Sequence, residues 1–387
     1  MRTTEPPGPT LEVTRVLLRD FRSYPGLDLA LGPGLNVFLG PNGSGKTNLL
    51  EAVTYVSLGR SPRTTRDADL IRDGATGFEV EVEYHRATAG TDSTTPSSRA
   101  GVRFAAHRGR RAVIDGRIAQ NLSDIYGRVP SVFFSPDDLW LLKGPPSGRR
   151  HLLDRLLAQS SPLYADAVLR YRHALSQRNA ALHEVRARRA SEDMLAIWEP
   201  LLLQYGTEIF TRRAAAVAAL APLATEAYRR LSGGAEVLEC RYVPGLPAPD
   251  AAAADWRERF CAALEARRRT DVALAGTSAG PQRDDVEVLL AGRAASRFAS
   301  QGQQRSAVLA LKFAERAHLR RQTGCWPVLL VDDVLSELDP RRRRALAEVL
   351  CGEGQVFLTS TDPGPLDGLV PGNRYRVEAG RVTREEG

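Results

Sequence analysis

Residues Gly40 to Thr47 read Gly-Pro-Asn-Gly-Ser-Gly-Lys-Thr and constrain the chain more than any other stretch. The spacing is that of the phosphate-binding P-loop, Gly-x-x-x-x-Gly-Lys-Thr. Its glycines permit a tight turn in which successive backbone N–H groups point inward at phosphate oxygens. On this reading Gly40, Pro41, Asn42, Gly43, Ser44, Gly45, Lys46, Thr47 and Asn48 hold a nucleoside triphosphate. Lys46 reaches the β- and γ-phosphates, and the Thr47 hydroxyl holds Mg²⁺. Gly34 to Leu39 reads as a strand entering the loop. Asn48 to Val53 reads as a helix leaving it, with its N-terminal dipole toward the phosphates. The alternative, a Gly-rich turn with an incidental lysine, has composition against it: Lys46 is one of only three lysines, with Lys143 and Lys312.

At 387 residues the chain has room for one large domain with an insertion, or for two to three domains. A hydrophobic fraction of 43% supports a buried core, and no run of eighteen apolar residues marks a membrane span. Met1 to Thr10 is polar and Pro-rich, lacks the apolar stretch of a signal peptide, and reads as a loose leader. The four cysteines (Cys240, Cys261, Cys325, Cys351) are widely spaced and the six histidines scattered. That points to a reducing, cytoplasmic setting and away from a disulfide framework or a zinc site. The formal net charge is +7, carried almost wholly by arginine. A basic chain favours polyanions, nucleic acid above all, although a solvated surface gives the same count.

Taken in order, Leu11 to Leu18 alternates as an edge strand, Phe21 to Tyr24 turns, and Leu27 to Leu31 and Leu35 to Leu39 are strands. The P-loop helix runs to Leu58 and ends at Gly59. Arg60, Arg63, Arg66 and Arg72 follow, either on a solvated loop or in contact with a phosphate backbone. Phe78 to Tyr84, Val102 to Ala106 and Ala112 to Arg117 form an antiparallel meander, with Ala87 to Ala100 as a flexible hairpin tip. Val132 to Phe134 is a buried strand ending at Ser135-Pro136-Asp137-Asp138. Lys143 to Arg150 is a basic turn entering a helix at His151. From Ser161 to Gly234 the pattern is helical, with Pro200 and Pro222 as kinks or breaks. Val243 to Ala254 connects to a further helix, Asp255 to Thr270. No sustained heptad appears, so this is a compact helical lobe. Val286 to Leu290 is a strand, and Ala299 to Arg305 opens a long helix. Val328 to Val331 runs into Asp332 and Asp333, Gln355 to Ser360 is the next buried strand, and Arg374 to Arg384 closes as a hairpin.

A P-loop calls for a carboxylate at the end of a buried parallel strand. Asp332 is so placed and would hold Mg²⁺ directly or through water. Asp333 either orients and deprotonates the attacking water or serves as a capping acid. Ser300, Gly302 and Gln303, at a helix start, expose N–H groups to a second phosphate. One ATP needs only one P-loop, so this second anion site suggests ATP shared between two subunits. Signature, strand, two acids and then Ser336-Glu337-Leu338-Asp339 is an order that resembles the ATP-binding-cassette class.

The resemblance narrows further. Phe21-Arg22-Ser23-Tyr24 followed by the P-loop and Asn48-Leu49-Leu50-Glu51-Ala52 is similar to the heads of SMC-type ATPases. Four further segments resemble the RecF family of bacterial recombination mediators. They are Phe134 to Leu139, Lys143-Gly144 with Arg149-Arg150, Gly280-Pro281-Gln282-Arg283-Asp284-Asp285, and Ser300 to Arg305. The likeness spans Leu11 to Asp362. It implies an α/β fold: an ABC/SMC-type P-loop ATPase head with an antiparallel β meander and an inserted compact helical lobe. Residues 1–150 and 271–387 would form the head and residues 151–270 the lobe.

The resemblance also implies an ATPase of recombinational DNA repair and replication, with a place in the SOS response. ATP and Mg²⁺ would lie between the P-loop of one subunit and Ser300 of the other. A homodimer would close on double-stranded DNA near single-strand gaps, help load recombinase with RecR as partner, and be reset by slow, DNA-stimulated hydrolysis. Lys46, Asp332 and Asp333 would carry the chemistry. Arg22 would touch phosphate or adenine, and Arg60, Arg63, Arg66, Arg72, Arg149 and Arg150 are candidates for DNA. The chain departs from the family at Gln282, where His is common, and at Asp333, where the wider class has Glu. The shorter acid fits a slow ATPase. No Gln marks the Q-loop, where Ser135 or Asp137 would stand in, and no His follows Ser360, where Thr361 or Asp362 would act. Other cassette ATPases predict a membrane partner, and an SMC-like structural head predicts a long heptad insertion.

Overall fold

The computed structural model describes residues 10–87, 97–234, 236–247, 255–335, 338–352, 354–362 and 372–385. The leader at 1–9, the hairpin tip at 88–96, most of the connection at 248–254, and Ser336 and Glu337 lie outside the described residues.

Strict alternation builds the first sheet. Gly77–Ala87 buries Phe78, Val80, Val82 and Tyr84 on one face and turns Glu79, Glu81 and Glu83 to the other. It pairs with Ser98–Ala105 on one side and Thr10–Phe21 on the other. Tyr24–Ala30, Gly109–Ile114 and Arg117–Ile118 complete an antiparallel six-stranded sheet. Thr10–Phe21 is therefore an interior strand and not an edge, because both of its sides are hydrogen-bonded. Period two reveals the buried face of a strand but says nothing about how many neighbours it has.

The second sheet has the spatial order Arg381–Arg384, Asn373–Glu378, Leu35–Leu39, Val356–Ser360, Val328–Asp332, Ser131–Phe134. All neighbours run parallel except the first pair. Val328–Asp332 and Val356–Ser360 are buried along their whole length, as strands covered on both faces must be. One face, with Phe38, Phe133, Leu330 and Phe357, packs on the P-loop helix Lys46–Leu58 and, beyond it, the first sheet. The opposite face, with Val37, Val132, Leu329 and Leu358, packs on helices Gln301–Thr323 and Glu199–Ser232. Buried Gln355 ties the two sheets: it accepts from Val13 N–H at 2.8 Å and donates to the Val13 and Gly32 carbonyls at 2.8 and 2.9 Å.

Three long helices, Pro162–Arg186, Glu199–Ser232 and Trp256–Leu274, form a bundle. Ser161 and Asp255 cap the first and third, accepting from Tyr164 N–H at 3.3 Å and Glu258 N–H at 2.8 Å. Neither proline of the second helix ends it: Pro200 sits in its first turn and Pro222 inside it, and the helix stops at Gly233 with φ 84°. An interior proline costs about 3 kcal/mol. Beyond it Ala224, Tyr228 and Leu231 are buried, at roughly 1.5–3 kcal/mol for each large side chain, so packing wins. Arg213 fastens this helix to its surroundings, donating to Asp154 at 2.8 Å and to Asp284 and the Pro281 carbonyl at 2.7 Å. The helix expected from His151 instead starts at Pro146, because a proline is pre-organised for the first helical position. Among the described residues, no helix is long and apolar enough to cross a membrane.

Candidate functional site

The loop from Gly40 to Thr47 leaves Leu35–Leu39 and enters Lys46–Leu58. Gly43 and Gly45 take φ of 78° and 113°, which side chains with a Cβ rarely adopt. At Gly40 a Cβ would lie 2.2 Å from the Val377 carbonyl oxygen, so the closing hairpin presses directly on the loop. Gly380 N–H also donates to the Ser44 carbonyl at 3.2 Å. From the other side, buried Tyr24 donates its hydroxyl to the Gly45 carbonyl at 3.0 Å. Lys46 is buried and folds back on its own loop, donating to the Gly40 and Pro41 carbonyls at 2.7 and 2.9 Å. Burial pulls its ammonium below the usual lysine range, while Asp333 and Asp332 push it back up. The Ser44 hydroxyl is buried with no hydrogen-bond partner. An orphaned hydroxyl, an ammonium and a turn of glycines fit a polyphosphate.

Asp332 ends its strand with one carboxylate oxygen accepting from Thr47 at 3.0 Å and from Thr359 at 2.8 Å. Thr359 belongs to Val356–Ser360, the strand lying between the P-loop strand and the acid strand. Burial raises the Asp332 pKa, and the Thr359 and Thr47 hydroxyls oppose that rise. A buried carboxylate beside a P-loop threonine is an oxygen donor set that suits a hard divalent cation. The next residue, Asp333, has φ 49° and donates its N–H to Thr359 at 2.9 Å. Asp333 and Asp332 both act electrostatically on Lys46.

Ser300 is the N-cap of Gln301–Thr323, with Ser300 and Gln303 bonding each other's N–H groups in a capping box. The Gln303 amide reaches Glu236 at 2.8 and 2.9 Å. Gly302 faces Arg342: a Cβ there would lie 3.0 Å from its guanidinium. Arg342 donates to Ser306 at 2.7 Å and pairs with Asp339, which caps Pro340–Leu350. The loop after the two acids is thereby fastened to the signature helix. None of the side-chain hydrogen bonds of Ser300 and Gln303 reaches the P-loop.

The arginine candidates separate. Arg149, only 14% exposed, is held by Asp285 at 2.6 Å, and Arg150 donates to the Asp284 carbonyl at 2.7 Å. Both brace Pro146–Ser160 against the strand Asp285–Leu290, so their guanidinium groups are engaged within the chain. Arg72 pairs with Asp20 at 2.9 Å. Arg22 reaches buried Glu51 at 3.0 Å and the Asp69 carbonyl at 2.8 Å, so its fork is directed at the P-loop helix. Arg63 shares Glu51 at 3.4 Å and meets Asn48 at 3.1 Å. Arg66 is 78% exposed. Arg60 is half-buried among other cations. Gln282 accepts from Tyr171 and donates to the Thr277 and Ala279 carbonyls, a packing role that needs no ionisable group. Ser135 caps a short turn whose Asp138 pairs with Lys312 at 3.1 Å, while Asp137, Thr361 and Asp362 are exposed. Sequence reading missed Glu236, Arg342 and Thr359, and named Tyr24 and Glu51 only as parts of motifs, without a role. Only Glu51, a carboxylate inside an otherwise apolar helix run, carried a local signal.

The family model for the RecF/RecN/SMC N-terminal domain matches residues 12–369. A protein of Heliobacterium modesticaldum named DNA replication and repair protein RecF is 38% identical over 97% of this chain and 99% of its own. The chain belongs to the RecF family. The RecF of Moorella thermoacetica is 40% identical, over 92% of each chain. A solved structure described as the recombination mediator protein RecF with ATP, in the RecFOR pathway, superposes with a TM-score of 0.88. It is 28% identical and covers 99% of this chain and 100% of its own. RecF is an SMC-like ATPase family of DNA replication and repair, and the P-loop, Asp332 and signature helix described above stand within it.

Proposed function

We propose that this chain is an ATP-gated DNA-binding protein of recombinational repair. ATP would sit on the P-loop with Lys46 along its terminal phosphates. Thr47 and Asp332 would hold Mg²⁺, which supplies charge neutralisation at the phosphates when bound. Asp333 would orient the attacking water. The exposed cap of Gln301–Thr323 would meet the γ-phosphate on a second copy, so that two ATP molecules close a homodimer. The closed dimer would hold double-stranded DNA beside single-strand gaps and, with RecR, help load recombinase in the cytoplasm, including during the SOS response. Slow hydrolysis, faster on DNA, would reopen it.

The observation that carries this reading is that the P-loop and its acid lie together while the exposed Ser300 cap stands on a separate element. Asp332, Thr47 and Lys46 converge at one place. Ser300 stands exposed on another element and bonds only its own helix start. The relatives' shared name and the ATP-bound RecF structure support the DNA and ATP components. The test is sedimentation of the full chain with ATP, ADP or no nucleotide, with and without duplex DNA carrying a single-strand gap. ATP should double the mass and tighten DNA binding. Strong ATP turnover with no ATP-dependent retention of DNA would overturn the reading.

A further inference from the structure

Directly after the Gly59 cap of the P-loop helix stands an arginine whose guanidinium has no hydrogen bond or ion pair among the described residues, Arg60. Arg155, on Pro146–Ser160, is likewise without one. With Arg172 and Arg110 they line a groove of about 400 Å³. Arg110 pairs with Asp67 at 3.2 Å and Arg172 with Asp154 at 3.2 Å. Each acid already has another partner: Asp67 accepts from Tyr55 at 2.9 Å and Asp154 is bound by Arg213 at 2.8 Å. Positive charge in this groove therefore exceeds its internal compensation. Burial and the like charge of Arg172 hold Arg60 below the usual arginine range, with Tyr126 and Asp154 opposing and Arg155 adding to the shift. A half-buried, unpaired cation is costly unless something outside the chain supplies the opposite charge.

The excess continues on one side only. An adjoining basin of about 280 Å³ shares Arg63, His151 and Arg155 with the groove but is also lined by Asp137 and Asp138, so it adds no further positive charge. On the other flank, alternation along Gly109–Ile114 sends Arg110 into the groove and Arg111 into a third depression of about 500 Å³, which Arg19 and Arg108 also line. A single anion would need one basin. Cations recurring from the groove into a second basic depression match an anion that itself repeats. We propose that this groove seats backbone phosphates of duplex DNA, with Arg60 and Arg155 as direct phosphate contacts. The inference rests on the DNA-binding reading above and adds the place where DNA lies.

The test is duplex-DNA affinity of the ATP-loaded full chain across salt concentrations, for the parent, for Arg60→Gln with Arg155→Gln, and for Arg189→Gln as a control. Each lost phosphate contact should lower the log–log salt slope by about 0.9, so the double variant should lose nearly two, with affinity down roughly ten-fold or more. Arg189, paired with Glu184 and 66% exposed, should leave the slope unchanged. Arg155→Lys should retain it, and binding of a fluorescent ATP analogue reports that each variant is folded. A parental slope in the folded double variant overturns the groove and leaves the functional reading standing. A parent that binds no duplex overturns the functional reading itself. Tripolyphosphate binding that is lost in the double variant, while duplex binding is not, would assign the groove to a free polyphosphate and refute the backbone assignment.

Discussion

Lys46 shows how much a single residue position can carry. Its ammonium lies between two carbonyls of its own loop, a space that suits a compact point charge and not a planar fork. Lys46→Arg should cut hydrolysis roughly 10²-fold and weaken ATP-driven dimerisation, read by phosphate release and sedimentation. Unchanged dimerisation would count against the P-loop assignment. Asp333→Asn keeps the shape and removes the charge. Turnover should fall roughly 10²-fold or more, with a dimer that persists after ATP is added. Normal turnover in that variant would reject Asp333 as the group acting on water. Lys46 could be named from the sequence because the P-loop has a fixed spacing. Thr359 could not: it holds Asp332 from a strand 27 residues further along, and nothing local marks a threonine in an apolar run as a hydrogen-bond donor to an acid.

At the scale of elements, the strands and helices announced themselves by period, whereas the arginines between them did not announce their partners. Arg149 and Asp285 are separated by 136 residues and still bond at 2.6 Å. In an arginine-rich chain the residue type says charge, and only the fold says whether that charge faces water, ligand or carboxylate. Asp154 illustrates the energetic side. Burial opposes its ionisation, yet Arg213, the Tyr164 hydroxyl and Arg172 together hold its carboxyl below the ordinary value of 3.8. The folded chain then binds that proton less readily than the unfolded chain. The stabilisation is complete above about pH 4 and is lost as pH falls through the folded value. Asp154→Asn should cost about 3 kcal/mol at neutral pH, measured by urea denaturation, and the cost should shrink steadily toward pH 3. A pH-independent difference would mean that the pair contributes through packing and not through charge.

For the molecule as a whole, the decisive question is whether the signature helix serves its own chain or another. Ser300→Arg places a bulky cation at an exposed cap and touches none of the hydrogen bonds of the P-loop. ATP binding should remain within about two-fold while ATP-dependent dimerisation is lost, since forcing extra atoms into a packed interface costs about 1–3 kcal/mol or more. Retained dimerisation would sink the shared-site proposal. The wedge of two sheets around the P-loop helix was foreshadowed by the meander and the buried runs. The interior position of Thr10–Phe21 and the unbroken Glu199–Ser232 were not, because neighbour number and long-range burial leave no mark on a local pattern.

The order of strands in the parallel sheet also sets a timetable. Leu35–Leu39 is flanked by Val356–Ser360 and Asn373–Glu378, both from the far end of the chain. During synthesis at roughly 5–20 residues per second, the P-loop strand therefore waits on the order of tens of seconds for its first neighbour. Until then Gly40 has no Val377 carbonyl against it, and Asp332 has no Thr359 to hold it. A chain released early would carry the complete phosphate-binding sequence without the means to shape it. The neighbours that shape the P-loop are thus supplied by strands from late in the chain.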